Sequence, residues 1–461
     1  MWKFLLRSVV YAMIIILLVG GIGVSGLVYS QGLFWGSIRQ EPVPSLEGIQ
    51  KPVHDPNKPT VAVLLGNEAT ESMDFTIPYQ LLSMTGAYNV YAVAEDNQVR
   101  SLTGGVDIVP HYSFAELDAL LGKSADMIAI PFMMTQDAQK FEPIREWIQK
   151  HKDTTLLSIC AGSGNLAATG LLDGKTVTTH WQTVADLTRL YPNVNWVTDR
   201  RYITNDEGKI ISSAGVSSGI DATLYVISQQ LGEPMAEKIA KDLNYPSYDF
   251  VKNPKVEPFS IDMKYSTYIL NNAFQWNKTK AGMLLYNGVE EMAIASVLDI
   301  YSDTGTTQVL SATSAGQPVV SKHGLNLLPR YEWATLPALD KMIVPGTQAT
   351  TLATDEIEGW KEIGNGLEPL LVHSDPNRFI FEAQFEDLAK QEDLLTALHA
   401  VKRLEFRAEN YQLEGNALPY ETYGNLLLTL IGAIGIAWYI DRRFILKKKG
   451  ACCLKGKSKT A

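Results

Sequence analysis

Hydropathy divides the chain before any side chain is considered for chemistry. Two uninterrupted apolar stretches, Ser8 to Ser30 and Tyr423 to Ile440, are each long enough to span a bilayer. Lys3 and Arg7 precede the first, while Arg442, Arg443 and Lys447 to Lys449 follow the second. The positive-inside rule then predicts a cytoplasmic N-terminus over 1–7, transmembrane helices over 8–30 and 423–440, and a basic cytoplasmic tail over 441–461. Everything between the two spans is expected on the outer side of the cell membrane. A cleavable signal, with small residues at Val24-Ser-Gly26, is the alternative for the first stretch. Its apolar run exceeds the usual signal core, so it reads as an uncleaved anchor.

Residues 31–57, rich in Pro, Gly and polar residues, read as a linker. Short apolar runs of buried-strand character follow at Thr60 to Leu65, Asn89 to Ala94, Met127 to Pro131 and Thr154 to Ile159. Helical patterns separate them at Glu71 to Gly86, Phe114 to Leu121 and Phe141 to His151, with Pro78 placed near the first turn of its helix. A long apolar helix at Ile220 to Leu231 closes the unit. This alternation predicts an α/β domain over 58–250, a parallel sheet with helices on both faces.

Residues 265–412 read as a worn copy. Gly282 to Met292 parallels Val61 to Glu68 and the helix after it, Ser302 to Gly305 parallels Ser83 to Gly86, and Lys341 to Gly346 parallels Asp126 to Pro131. The expected fold is therefore two tandem flavodoxin-like α/β domains flanked by two transmembrane helices.

Net charge is −10, and the two ends carry an excess of cations with Asp441 as their one acid, so the part between is more acidic still. Such a surface repels nucleic acid. Cys160 is the only cysteine between the spans, which rules out an intramolecular disulfide there. Cys452 and Cys453 fall in the basic tail and read as free thiols.

The chemistry concentrates at Cys160. An apolar strand stops at this cysteine, small residues follow (Ala161, Gly162, Ser163, Gly164), and a helical pattern resumes at Leu166. Strand, sharp turn and helix N-terminus make a nucleophile elbow. The helix terminus is expected to lower the thiol pKa. The N–H of Ala161 is placed to stabilise developing negative charge, and Gly162 leaves room for a substrate carbon. A buried structural cysteine is the plain alternative.

Ser158-Ile-Cys-Ala-Gly162, Gly170-Leu-Leu-Asp-Gly174, Thr178-Thr-His-Trp181, Asp199-Arg-Arg-Tyr202 and Ser213-Ala-Gly-Val-Ser-Ser-Gly-Ile-Asp221 occur in that order. In these motifs the stretch from about Lys58 to Phe250 resembles the DJ-1/PfpI family of the class I glutamine amidotransferase-like superfamily. The nearer likeness is to the branch of isocyanide hydratases and the amidase-like domains of AraC-type regulators. The resemblance implies an acidic partner for the thiol at Asp74, useful when protonated. It also implies a histidine near the cysteine at His180. Asp74 as a helix cap and His180 as a structural wall are the plain readings. In the second repeat Ala293 falls opposite Asp74, and Glu368-Pro-Leu-Leu-Val-His373 leads to Ser-Asp-Pro with no cysteine, so acid and nucleophile are missing together.

There are departures from the family. Peptidase members have histidine where Ala161 stands, which disfavours proteolysis, and isocyanide hydratases often have threonine there. The late Cys–His–Glu triad of glutamine amidotransferases is absent. The family's Pro-Gly-Gly is replaced by Ile130-Pro-Phe-Met-Met134, so that Phe132 and Met133 are expected to narrow and grease the pocket. No helix-turn-helix segment is legible, and no metal cluster, phosphate loop or dinucleotide fingerprint implies a cofactor. The expected function is cysteine-dependent hydration or hydrolysis of a small electrophilic substrate by a membrane-anchored domain. The alternative is a non-catalytic ligand-binding or thiol redox-sensing ectodomain. Many relatives dimerise, and the second domain can stand in for a dimer partner.

Overall fold

In the computed structural model, which describes residues 2–39, 43, 46, 49–364 and 366–445, the first apolar stretch forms one helix, α1 (Trp2–Gly36). It runs past Ser30 into what was expected to be linker. Leu33, Phe34 and Trp35 prolong its apolar face, and the helix ends where Ser37 Oγ donates to the Phe34 carbonyl (2.6 Å).

β1 (Thr60–Leu64) is buried along its whole length. Its alternate residues serve two cores: Val61 and Val63 face one, Ala62 and Leu64 the other. The chain continues through α2 (Ser72–Met84), β2 (Asn89–Ala94), a hairpin of β3 (Arg100–Leu102) and β4 (Val106–Val109), β5 (Tyr112–Ser113) and α3 (Phe114–Leu121). β6 (Met127–Ile130), α4 (Ala138–Lys150), β7 (Thr155–Ser158) and α5 (Gly162–Ala167) follow. A small pair, β8 (Thr176–Thr178) and β9 (Asn195–Val197), brackets α6 (Val184–Leu190). β10 (Tyr202–Asn205), β11 (Ile210–Ser213), α7 (Val216–Leu231), α8 (Glu233–Asp242) and α9 (Asp249–Lys252) complete the first half. Its seven-stranded sheet runs β10-β11-β7-β6-β1-β2-β5, parallel except for β10. Pro78 falls in the second turn of α2 rather than near its first, and the missing N–H leaves the Asp74 carbonyl without its helical donor.

The second half comprises α10 (Met263–Phe274), β12 (Thr279–Leu284), α11 (Glu291–Val297), a π-helical turn at Leu298–Ser302 and β13 (Thr307–Thr313). Next come β14 (Val319–Val320), β15 (Asn326–Leu328), β16 (Tyr331–Glu332), β17 (Lys341–Ile343), α12 (Ala349–Leu352), α13 (Thr354–Ile363) and β18 (Pro369–Leu370). α14 (Glu382–Gln391) and α15 (Leu394–Arg403) follow. Its five-stranded parallel sheet is ordered β16-β13-β12-β17-β18. Counted from each half's first strand, this is the order β5-β2-β1-β6-β7.

The halves meet at several places, and two of these contacts join whole elements. β4 and β15 pair antiparallel at the centre of a four-stranded sheet, β14-β15-β4-β3, to which each half gives two strands. α2 packs on α11: Met292 N donates to Gln80 Oε1, and Ser72 Oγ donates to Asp299 Oδ1, each at 2.8 Å. One apolar core runs through this junction.

The last helix, α16 (Tyr420–Ile440), begins three residues before the expected Tyr423. It pairs with α1, closed by Arg7 Nη2 on Asp441 Oδ2 at 2.7 Å. Both helices are long and apolar enough to cross a membrane. Residues 446–461, which hold Lys447 to Lys449, Cys452 and Cys453, lie outside the described residues.

Candidate active site

The elbow follows from the backbone of the β7–α5 turn. Cys160 has φ 57°, a left-handed conformation that non-glycine residues adopt at a cost and that recurs at functional sites. Thr179 Oγ1 holds its carbonyl (3.0 Å), and Ile159 N donates to Ile130 O (3.0 Å), tying the turn to β6. Gly162 passes so close to that strand that a Cβ would lie 2.3 Å from Ile130 O, so only glycine fits. Its N–H is already given to Ile159 O (2.8 Å). Gly162 therefore makes the turn possible but offers the substrate nothing.

Asp74 lies in the first turn of α2, fully buried. Phe132 N donates to its Oδ2 (3.2 Å), while Oδ1 has no partner. The Phe132 backbone N–H is thus engaged by Asp74 itself. Burial pushes the Asp74 carboxyl up to about 8, with nearby Asp299 adding to the rise and the Phe132 N–H opposing it. Burial likewise raises the Cys160 thiol well above its ordinary value. The Asp74 and Glu71 carboxylates add to that rise, while the Ala161 N–H and Arg403 oppose it. This corrects the expected depressed thiol. Ala161 N–H does favour the thiolate, as expected, but desolvation outweighs one short helix terminus.

His180 is buried, and its Nε2 bonds the Arg403 carbonyl at 2.9 Å. Burial lowers its pKa, so the ring is neutral, Nε2–H is the donor and Nδ1 is left as an acceptor. Phe132 and Ala161 line a cavity of about 500 Å³ together with Cys160 and His180. Met133 does not. Its backbone N–H and carbonyl are bridged by the Asn165 side-chain amide (2.9 Å each), and its side chain packs in the other core, against Gly66. Alternation along an extended segment sends adjacent residues to opposite faces, so Phe132 and Met133 cannot both line one wall.

Four side chains escaped sequence reasoning. Glu71 caps α2, its Oε2 accepting the Asp74 N–H at 2.6 Å, while Oε1 is left unbonded in the interior. Arg403, the last residue of α15, brings its guanidinium to Asp303, to Asp299 (3.6 Å) and to Glu71 (3.8 Å). The π-helical turn presents Asp299 and Asp303 to the cavity, and such turns recur at functional sites. Burial raises Glu71 and Asp303, with Asp299 adding to both, and Arg403 is held firmly protonated by the carboxylates around it. The cavity is thus far more charged than Phe132 and Met133 led one to expect. Spacing in the sequence gave no cue to Asp299, Asp303 and Arg403, because these three belong to the other half and reach Glu71 only through the packing of the two halves. Among the described residues no group of three or more His, Cys, Asp or Glu is placed to hold a metal ion.

Two further motifs meet in one buried network. Arg201 is buried against Asp221, donates from Nη2 to Ser217 Oγ (2.9 Å), and reaches from Nη1 to the Glu405 carbonyl (2.9 Å). Tyr245 Oη donates to Asp221 Oδ1 at 2.7 Å. This network clamps the turn after α15 onto the N-terminus of α7 and so positions Arg403.

Comparison with known proteins agrees with the α/β frame of the first half. Residues 59–229 match the model of the DJ-1/PfpI family, and the chain contains a DJ-1/PfpI family domain there. An isonitrile hydratase of Pseudomonas putida is 27% identical over 187 residues, covering 39% of this chain and 77% of that protein. The HTH-type transcriptional regulator CdhR of Pseudomonas aeruginosa is 34% identical over 110 residues, 22% of this chain and 32% of the regulator. The crystal structure of Drosophila melanogaster DJ-1beta aligns with TM-score 0.34 at 21% identity, covering 40% of this chain and 96% of that one.

Proposed function

We propose that this protein is a membrane-anchored, extracytoplasmic enzyme whose Cys160 adds to a small electrophilic carbon, with hydration of an isonitrile the favoured reaction. The observation that carries the reading is Cys160 held left-handed at the strand–helix turn, beside a buried Asp74 whose Oδ1 has no partner. α1 and α16 are the two spans. The half built on β12 is a degenerate copy of the family domain, so the two halves form an intramolecular pseudo-dimer joined at the α2–α11 junction and the four-stranded sheet.

The raised pKa values choose among reactions. Amide hydrolysis starts from a thiolate, which this site disfavours. Isonitrile hydration uses a neutral thiol and a neutral carboxylic acid. Asp74 gives its proton to the isonitrile carbon, Sγ bonds to that carbon, and the thiol proton returns to Asp74. The resulting thioimidate, R–N=CH–S–Cys, takes up water; the C–S bond breaks, the thiol is regenerated, and R–NH–CHO leaves. Ala161 N–H stabilises charge on sulfur during the transfer, and His180 Nδ1 serves as an acceptor for the attacking water. A neutral thiol also weighs against the redox-sensing alternative, since oxidation follows thiolate character. Simple ligand binding remains the second reading.

The test is formamide production from a small alkyl isonitrile by the purified full chain, followed by NMR. Cys160→Ser should lower the rate on the order of 10³-fold or more. Equal rates for the two proteins would sink the enzyme and leave a binding module.

A further inference from the structure

The cavity over Cys160 is not closed by the two α/β halves alone. Its far wall is the end of α1, where Leu33, Phe34 and Trp35 line the same chamber as Cys160 and Arg403. That wall is fixed on two sides, by α10 and by the β3–β4 hairpin. Ser30 Oγ donates to the Asn272 carbonyl (2.8 Å), and Arg39 donates from its backbone N–H to Ser101 Oγ (2.9 Å) while its guanidinium meets Asp107. α1 also lies so close to α10 that a Cβ at Gly26 would fall 1.9 Å from the Ala273 carbonyl.

The surroundings of this helix end are apolar as well. α10 and α16 both pack beside α1. They and the turn after α10 expose Met263 (66%), Trp276 (48%) and Tyr420 (66%) to the outside. Trp276 and Tyr420 lie together, since the next residues are joined by Asn277 N donating to Glu421 Oε1 at 3.0 Å. Exposed tryptophan and tyrosine at the end of an apolar helix pair mark the level of lipid headgroups. The chamber therefore has two characters. Its reactive floor is charged (Glu71, Asp299, Asp303, Arg403), and its wall on the anchor side is apolar.

We infer that the substrate is an amphiphile drawn from the bilayer interface: a small electrophilic carbon group, attacked by Cys160, carried on an alkyl chain that lies along Leu33 and Phe34. The inference rests on the proposed nucleophile and on α1 and α16 as membrane spans. A chamber of about 500 Å³ is within the range that encloses small organic ligands. Each methylene moved from water to the apolar wall adds to binding, so chain length governs affinity while the head group governs chemistry.

The experiment places the full chain in phosphatidylcholine vesicles, recovers them by flotation at pH 9, and treats them with iodoacetamide or N-dodecyl iodoacetamide. Both reagents form the same S–CH2 bond with loss of iodide and of the thiol proton, and mass spectrometry reads the adduct at Cys160. The long reagent should react at least tenfold faster, and Leu33→Asn and Phe34→Asn should each lower that ratio several-fold. In the unaltered chain, unreactive N-dodecylacetamide should protect Cys160 from iodoacetamide where acetamide does not, which tests the idea without a variant. Equal rates for the two reagents, or no protection, would overturn the amphiphile while leaving the nucleophile standing. Failure of Cys160 to react with either reagent while a small isonitrile is still hydrated would overturn this inference and leave the nucleophile, loss of both reactions would remove the nucleophile, and failure of the chain to float would remove the spans; each overturns this inference.

Discussion

The halves built on β1 and β12 share a strand order, yet the polar groups at two matching positions have opposite fates. Glu71 and Glu290 each cap the helix after the first strand. The Glu290 carboxylate accepts from Thr347 N (2.9 Å) and Thr347 Oγ1 (3.0 Å) and pairs with Lys322 (2.8 Å), which together hold it below the usual carboxylate range. Glu71 is left half-bonded and is raised by burial. Where β7 runs into a strained cysteine, β18 leads to His373, whose Nδ1 accepts the Gly346 N–H at 2.9 Å and whose Nε2 meets the Gln384 amide. A buried polar group with its partners in place stabilises a fold. One left short of partners holds a proton that chemistry can use. At these matching positions the contrast is therefore one of satisfaction rather than of architecture.

The comparison breaks most readily at the elbow. Gly162→Ala forces a Cβ onto the backbone of β6 and should cost about 3 kcal/mol, read by thermal or denaturant unfolding. Ser374→Ala, past the end of β18 on an exposed turn, should stay within about 0.5 kcal/mol. If the two substitutions cost the same, the elbow is not under the constraint described.

Asp74→Asn sharpens the contrast electrostatically. The folded state raises Asp74 from an ordinary value of about 3.9 to about 8, so it binds that proton more tightly than the unfolded chain does. The associated stability is full below about pH 4 and is lost as pH rises through 8. The native chain should therefore melt lower at pH 8.5 than at pH 5.5, and the difference should shrink in Asp74→Asn. The same variant removes a negative charge beside the thiol and should lower the midpoint of Cys160 alkylation by about one unit. Ala293→Asn, at the matching place in the other half, should leave that midpoint alone.

The smallest effect crosses between the halves. Asp299→Asn should raise the Cys160 midpoint by a few tenths of a unit, because Asp299 helps hold protons on Asp74 and Glu71, and without it their negative charge opposes the thiolate more strongly. An alkylation profile identical to that of the native chain would mean that the second half does not tune the site.

What could be read from residues in order was local. The apolar runs that became β1, β2, β6 and β7 are buried on both faces, and such strands announce themselves as continuous hydrophobic stretches. Cys160, Asp74 and Phe132 were legible because they sit at the ends of those strands or at the start of the helix after one. The hairpin β3–β4 was not, since its partner strand β15 lies in the other half and neither sequence carries a strong period of its own. Arg403 and Asp299 escaped for the same reason: an ordinary arginine at a helix end and an aspartate in a helical turn acquire meaning only from what they meet. Met133 was misplaced by reading a segment as a wall when its residues alternate.

The pairing of α1 with α16 has a consequence for how the molecule is made. Arg7 and Asp441 lie 434 positions apart, and every strand of both sheets is strung between them. Synthesis delivers α1 first and its companion last, so for most of translation the helix that walls the chamber waits without the neighbour that holds it upright. Stretching a closure over more residues costs little extra free energy, since the penalty grows only logarithmically with length; the delay is one of time. A chain interrupted ahead of Tyr420 would carry the strands of both halves and α1 without its companion helix, so the pairing separates chains that contain α16 from those that stop short of it.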